Sequence, residues 1–492
     1  MSAELDVAAR VVELIRELAG RGAEAEVVVR NEVEALTRFA NSAIHQNVAD
    51  VTTGVRLRLH TGGRTAGGST TVTDPDGLRT LVERTLAAAR VSPPDASWAG
   101  LTRPAALHVS AGHPGSGEHS GLSFGFDEAT AHAGPADRAA RVRDFVDAAG
   151  GLETAGYCRT VAVAAAFANT AGQAVEGRTV EAAMDGIARS GWTASDGASA
   201  GWADGVARLA ASRLSGIDGA ALGARAAAKA RAAGQPAELP PGSYEVVLEP
   251  DAVKDLLENL ATFGFNGKSW VQRQSFAELG RAQFDPAVTI VDEPLGSRAE
   301  PAPGLPFDDE GTPRRSLVLV RDGVTRAVAH DRTSAAQAGA ESTGHASPYS
   351  RSWGPQATHL RLEASDPVAF TADGTSTADG PAAIAESARP LVARVARGLL
   401  ITDLWYTRVL DPKSLVVTGL TRNGVWLIED GKIVSAVGNV RFTQSYPQAL
   451  GPGRVLGIGG ESVLLPESWG RARYAAPALH LAGWNVTGNA SG

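Results

Sequence analysis

GQPAELPPGSYEVVLEPDAVKDLLENLATF, residues 234–263, holds the turning point of this sequence. Gly234, Pro236, Pro240, Pro241 and Gly242 crowd its first third. Proline lacks an N–H and glycine loses most entropy on ordering, so such a cluster breaks helix and sheet alike. Residues 244–248 then read as a strand. Residues 251–263 read as a helix, with Val253, Leu256, Leu257 and Leu260 on a buried stripe. The break divides the chain into an N-terminal unit, 1–235, and a C-terminal unit, 236–492.

Working back from the break, residues 220–233 form an Ala/Arg helix. The chain opens with another helix, in which Leu5, Ala8, Val11, Val12, Ile15 and Leu18 recur at helical spacing. Residues 25–30 and 51–60 read as strands, and 37–47 is less regular. Residues 76–89 return to helix, 92–126 read as loops and 128–149 as a helix. Residues 161–169 and 179–189 are expected strands. Working forward, short strands are expected at 288–291, 316–321, 324–329, 359–363, 399–402, 415–420, 424–429 and 432–437. Asp322-Gly323 and Asp430-Gly431 are hairpin signals, because a type I′ turn needs positive φ at both positions. The fold class is α+β: an N-terminal α+β domain followed by a β-rich C-terminal domain.

The 492 residues carry a net charge of −8, which gives no electrostatic case for nucleic acid or an anionic membrane. The apolar stretch at 161–167 falls far short of the roughly 18 residues a membrane span needs. The N-terminus, acidic within a helical pattern, does not read as a signal peptide, so the expected location is the cytoplasm. With Cys158 as the sole cysteine, no internal disulfide can form.

Most chemical patterns weaken on inspection. Gly121-Leu-Ser123-Phe-Gly125 matches a nucleophile elbow but lies in a loop-like stretch. His108, His113, His119 and His132 lack a common zinc spacing. Gly267-Lys268-Ser269 lacks the glycine five residues earlier that a phosphate loop needs, since position 262 is Thr. Asp308-Asp309-Glu310 reads as a solvated turn. His359, Arg361 and Glu363 share one face of an expected strand, most simply a solvent-facing one.

An ordered set of short motifs says more: TRFAN at 37–41, IHQN at 44–47, PFDDEGTP at 306–313, DRT at 331–333, ESTG at 341–344, GLLI at 398–401, VTG at 417–419 and GVWLIEDG at 424–431. In order and spacing they resemble the TldD/PmbA family of bacterial metalloprotease subunits, along nearly the whole chain. The resemblance implies one of two kinds of chain. The TldD type has a zinc-binding HExxxH helix just after the linker and a cysteine ligand near the C-terminus. The PmbA or TldE type lacks both and assembles with the first.

Aligned from the strand at 246–248, the first His of that motif falls on Glu258, the Glu on Asn259 and the second His on Phe263. Phe263 has no lone pair for zinc, and Asn259 cannot act as a general base. The cysteine position falls near 457–461, where there is none. The expectation is a zinc-less, TldE-like pseudoenzyme with no catalytic residue, metal or cofactor of its own. Its partners would be a zinc-bearing TldD-type subunit or a second copy of itself, and a peptide substrate, with no nucleic acid and no membrane. An auxiliary or unusual enzyme acting on a peptide or amino-acid conjugate in natural-product biosynthesis is the alternative, and a regulatory binding protein a third.

Overall fold

The chain enters helix α1 (Ala3–Ala19) through Ser2, whose side chain accepts the Leu5 N–H, and leaves it at Gly20, where φ is 79°. The computed structural model describes residues 2–107, 126–193, 199–296, 304–365, 384–467 and 472–490. Strands β1 (Glu24–Ala40) and β2 (Ala43–Thr61) form one long antiparallel hairpin turned at Asn41 and Ser42, with φ of 50° and 58°. The strands expected at 25–30 and 51–60 are therefore the inner parts of far longer ones. Residues 43–52 of β2 are exposed throughout, so no apolar alternation announces them.

Strand β3 (Arg64–Thr70) and helix α2 (Pro75–Val91) follow, the helix capped by Asp74. The helix expected at 128–149 is broken by Gly134 and Pro135 into α3 (Glu128–Ala131) and α4 (Pro135–Ala148). Then come β4 (Glu153–Asn169), β5 (Ala174–Thr193), β6 (Ser199–Ala211), which sequence reading missed, and α5 (Gly219–Ala232). The strands make one antiparallel sheet in the order β3-β2-β1-β4-β5-β6.

Strand alternation gives that sheet two different faces. One is covered by α1 and α2, through Val11, Ile15, Leu81 and Val82 on Val27, Val29, Leu57 and Leu59. Helices α4 and α5 extend the cover, through Phe145 and Leu222 against Phe39, Cys158 and Met184. On the other face Val28, Val161, Val163, Phe167 and Val175 meet Leu305 and Phe307 from the second half of the chain.

The second half begins with β7 (Gly242–Leu248) and α6 (Pro250–Asn259), which runs into a π turn at Leu260–Gly264, and then α7 (Gly267–Val271). Strands β8 (Val288–Asp292), β9 (Leu317–Arg321), β10 (Val324–Thr325) and β11 (Leu360–Ala364) precede β12 (Arg397–Asp411), β13 (Val416–Glu429), β14 (Lys432–Val437) and β15 (Val440–Ser445). Strands β16 (Val455–Ile458), β17 (Val463–Pro466), β18 (Arg473–Ala476) and β19 (Leu479–Asn489) follow. Both expected hairpin turns form, with φ of 49° and 77° at Asp322-Gly323 and 48° and 74° at Asp430-Gly431. The strand expected at 324–329 shrinks to two residues, and His359 lies just ahead of β11.

These strands build two sheets. One runs β10-β9-β8-β11-β18-β17; in the other β12, β7, β19, β15 and β13 pair in a closed ring, because β12 also pairs with β13. Val253, Leu256, Leu257 and Leu260 seat α6 in a core that includes Leu248, Ile290, Leu362, Ile401, Val425 and Leu481 from both sheets. The fold is mixed helix and strand, α+β at the N-terminus and β-rich after it. No helix among the described residues is long and apolar enough to cross a membrane.

Candidate functional site

Seating the apolar stripe of α6 turns Lys254, Asp255, Glu258 and Asn259 to one face of the helix. There, Lys254 Nζ pairs with Glu258 across one turn at 2.8 Å. Asn259 Nδ2 donates to the Asp255 backbone oxygen at 2.9 Å and to its carboxylate at 3.2 Å. The same carboxylate receives the Tyr446 hydroxyl at 2.7 Å and the Thr407 hydroxyl at 2.8 Å. Burial pushes the Asp255 carboxyl up to about 7, against the pull of the two hydroxyl donors. Burial also raises the Tyr446 phenol well above its usual value, and nearby Asp255 adds to the effect.

The three positions singled out from sequence are therefore each committed to something other than a shared ligand. Glu258 is bound to Lys254, Asn259 to Asp255, and Phe263 is half-buried against the C-terminal core. At the proposed cysteine position, Gly459 donates its N–H to Ala478 O at 2.9 Å and packs so closely on Ser387 that a Cβ would lie 2.6 Å from that side chain. Zinc needs several lone-pair donors around one point, and this set does not provide them. Among the described residues, no three His, Cys, Asp or Glu side chains converge as a metal would require. Asp255, Thr407 and Tyr446 escaped sequence reasoning: they lie 39 to 191 residues apart on three elements and match no motif.

The acidic triplet needs correction, because it is not a solvated turn. Asp308 is buried and accepts the N–H groups of Glu310, Thr312 and Ala346, each at 2.9 Å. Asp309 holds Arg30 at 3.0 Å and Arg56 at 2.6 Å, while Glu310 holds Arg58 at 3.1 Å and Arg332 at 3.0 Å. Arg332 also pairs with Glu26. The triplet is a clamp between the two halves of the chain. Further along the same seam, Glu181 joins Arg159 at 2.8 Å to Arg473 at 3.3 Å, and Arg208 joins Asp185, Asp251 and Asp403. Lys229 of α5 meets Glu249, the residue before α6, at 2.7 Å with both side chains fully buried.

The remaining sequence candidates disperse. His359 leans on Thr358 at 2.9 Å, and burial holds its pKa well below the usual value, Arg473 adding to the effect. Arg361 is half-buried and Glu363 exposed on β11. Gly267-Lys268-Ser269 opens α7 under an Asn266 cap. His132 is exposed. Ser123, His108, His113 and His119 lie outside the described residues. A buried relay that no motif announced runs from Asp292 to His345 at 3.0 Å and on to Thr343 at 2.8 Å. Burial pushes Asp292 up, but the hydrogen bond and charge of His345 together with the contributions of His359 outweigh it and hold the carboxyl at about 2.

Two family models match the chain: "PmbA/TldA metallopeptidase C-terminal domain" over residues 241–488 and "PmbA/TldA metallopeptidase domain 1" over residues 25–89. No curated protein matches. Among solved structures, TldE from Thermococcus kodakarensis superposes with a TM-score of 0.80 at 17% identity, covering 97% of this chain and 100% of its own. A candidate modulator of DNA gyrase from Thermotoga maritima gives 0.76 at 17% identity, covering 98% and 99%. Another from Bacteroides thetaiotaomicron gives 0.75 at 16% identity, covering 98% of both chains. At such identities the likeness speaks for the fold. The C-terminal model, spanning half of the sequence, speaks for descent, and the chain belongs to the TldD/PmbA family.

Proposed function

We propose that this chain is the zinc-less subunit of a TldD/TldE-type complex, a pseudoenzyme that pairs with a zinc-bearing TldD-type subunit or with a second copy of itself. The observation that carries this reading is the fate of three side chains on α6: Glu258 neutralised by Lys254, Asn259 tied to Asp255, and Phe263 a hydrocarbon. Amide hydrolysis at neutral pH needs an activated water and a stabilised oxyanion, both of which a zinc site supplies. The partner would bring that chemistry. This chain would bring walls and backbone groups that hold extended peptides or small unfolded proteins. The cytoplasm is the proposed setting. The proposed units are 1–235 and 236–492, which fits the first sheet being drawn from residues 24–211 and the other two from 242–489.

The test is co-purification from the native host, with elemental analysis of each subunit, followed by peptide cleavage by this chain alone, the partner alone and the mixture. Zinc in the partner only, and cleavage requiring the partner, are the expected results. One zinc per copy of this chain, lost in Glu258→Ala, overturns the reading. So does chelator-resistant cleavage by this chain alone that disappears in Ser123→Ala or Cys158→Ala.

A further inference from the structure

A concave surface away from the Asp255 cluster opens next to α7. It is a groove of about 1250 Å³ with α7 and the loop after it on one side, and the end of β15 with the short helix Tyr446–Ala449 on the other. Half-buried Trp270 and Phe276 give it an aromatic lining. Arg273, Lys413 and Arg454 also line it, with Gln337 and Gln448. None of these five side chains has a hydrogen-bond or ion-pair partner among the described residues. The one carboxylate in the described lining, Glu278, lies 3.6 Å from Arg281. On a chain of net charge −8, three cations therefore share one concave surface, Lys413 near enough to the exposed Asp411 to add to Ser414 in lowering its pKa, and Arg273 and Arg454 without an acidic partner among the described residues.

The backbone supports the same assignment. Arg273 is held in the left-handed region at φ 58°, a conformation non-glycine residues rarely adopt. Its N–H bonds Trp270 O at 3.0 Å, and the next N–H bonds Ser269 O at 2.8 Å, so the loop is built and not loose. Strained residues of this kind cluster at ligand sites. Pockets for single small ligands span about 300–1,000 Å³. This groove exceeds that range and suits a length of chain.

We propose that the groove binds an acidic peptide segment in extended form. Its carboxylates meet Arg273, Lys413 and Arg454, its backbone amides meet the free amides of Gln337 and Gln448, and an apolar side chain rests on Trp270 and Phe276. This rests on the peptide-holding role proposed above and deepens it by naming the place and the charge of the peptide; the binding step itself needs no partner and no catalysis.

The test is fluorescence anisotropy of the full chain with a fluorescein-labelled peptide of alternating Glu and Ala, beside Lys/Ala and Gln/Ala peptides of the same length. Only the Glu/Ala peptide should bind, and more weakly at high salt. Arg273→Glu with Arg454→Glu should weaken it at least about tenfold, since two attractive contacts become repulsive. Arg10→Glu with Arg21→Glu makes the same charge change on exposed residues of the first half and should leave binding unchanged. Equal binding of all three peptides, or equal loss in both double variants, overturns the proposal. Displacement of the peptide by equimolar tripolyphosphate also overturns it, making the groove a phosphate site. Co-purification with a zinc subunit is read separately, so either idea can fail without the other.

Discussion

Lys229→Met is the sharpest probe of how the two halves are held together. Lys229 and Glu249 are both fully buried and 2.7 Å apart, and Glu249 also accepts the Ala385 N–H at 2.7 Å. Burial alone would push the Glu249 carboxyl up; Lys229, with help from Arg225, holds it below its usual value. Methionine keeps an unbranched apolar side chain of similar reach and removes the charge. Glu249 is then left as a buried anion with one N–H donor, a situation that costs about 3–5 kcal/mol. The sign with pH follows. In the variant the carboxyl shifts above 4.5 instead of below it, so the loss is largest near about pH 8 and shrinks as acid protonates Glu249. Adding Glu249→Gln should recover most of the loss, because the charge is gone while an amide oxygen still faces Ala385. Urea unfolding can be followed by tryptophan fluorescence; buried Trp426 reports on this seam, since its Nε1 donates to Ala232 O at 3.3 Å. A loss under about 1 kcal/mol at pH 8, or a double variant no better than the single one, would refute the reasoning.

Asp255 offers a second pH test. Its folded value of about 7 lies above the ordinary 3.8, so its contribution to stability is full below the ordinary value and is lost as pH rises toward 7. Relative to Asp255→Asn, the wild-type chain should lose unfolding midpoint over that window; parallel profiles would refute the assignment. Burial pushes the Cys158 thiol up to about 12, so iodoacetamide at pH 8 should label it only after unfolding, read by mass spectrometry. Arg208→Met leaves Asp185, Asp251 and Asp403 without their shared cation and should lower the urea midpoint more than Arg79→Met, which removes only an exposed pair with Glu17.

What the sequence disclosed follows where burial is one-sided. Helices α1, α2 and α6 each bury one stripe against a core, so their spacing was readable. The Asp-Gly turns were readable because the turn itself demands that chemistry. The Asn41-Ser42 turn uses residues that tolerate the same conformation without advertising it, and the outer half of β2 has no buried face to impose alternation. At the α6 site, Glu258, Asn259 and Phe263 were singled out by resemblance. The Lys254 pairing follows from helical spacing, but Tyr446 and Thr407 arrive through tertiary packing alone. Asp308-Asp309-Glu310 misled for the same reason, since its cations sit on β1, β2 and the helix Arg332–Ala338, where local sequence gives no hint of them.

The closed ring of the second half sets an order of assembly. Strand β7 comes early in that half, yet its two neighbours are β12 and β19, which leave the ribosome far later. Until Leu479–Asn489 emerges, β7 and β15 each lack a partner, and α6 has only part of the wall it rests on. The first sheet pairs entirely within residues 24–211 and has no such wait. It does have Val161, Val163 and Phe167 uncovered until Leu305 and Phe307 follow. Synthesis thus passes through a stage with a finished sheet showing an apolar face beside open strand edges, the arrangement most prone to pairing with the wrong chain. Chaperone dependence should accordingly be greatest while the second half is being translated.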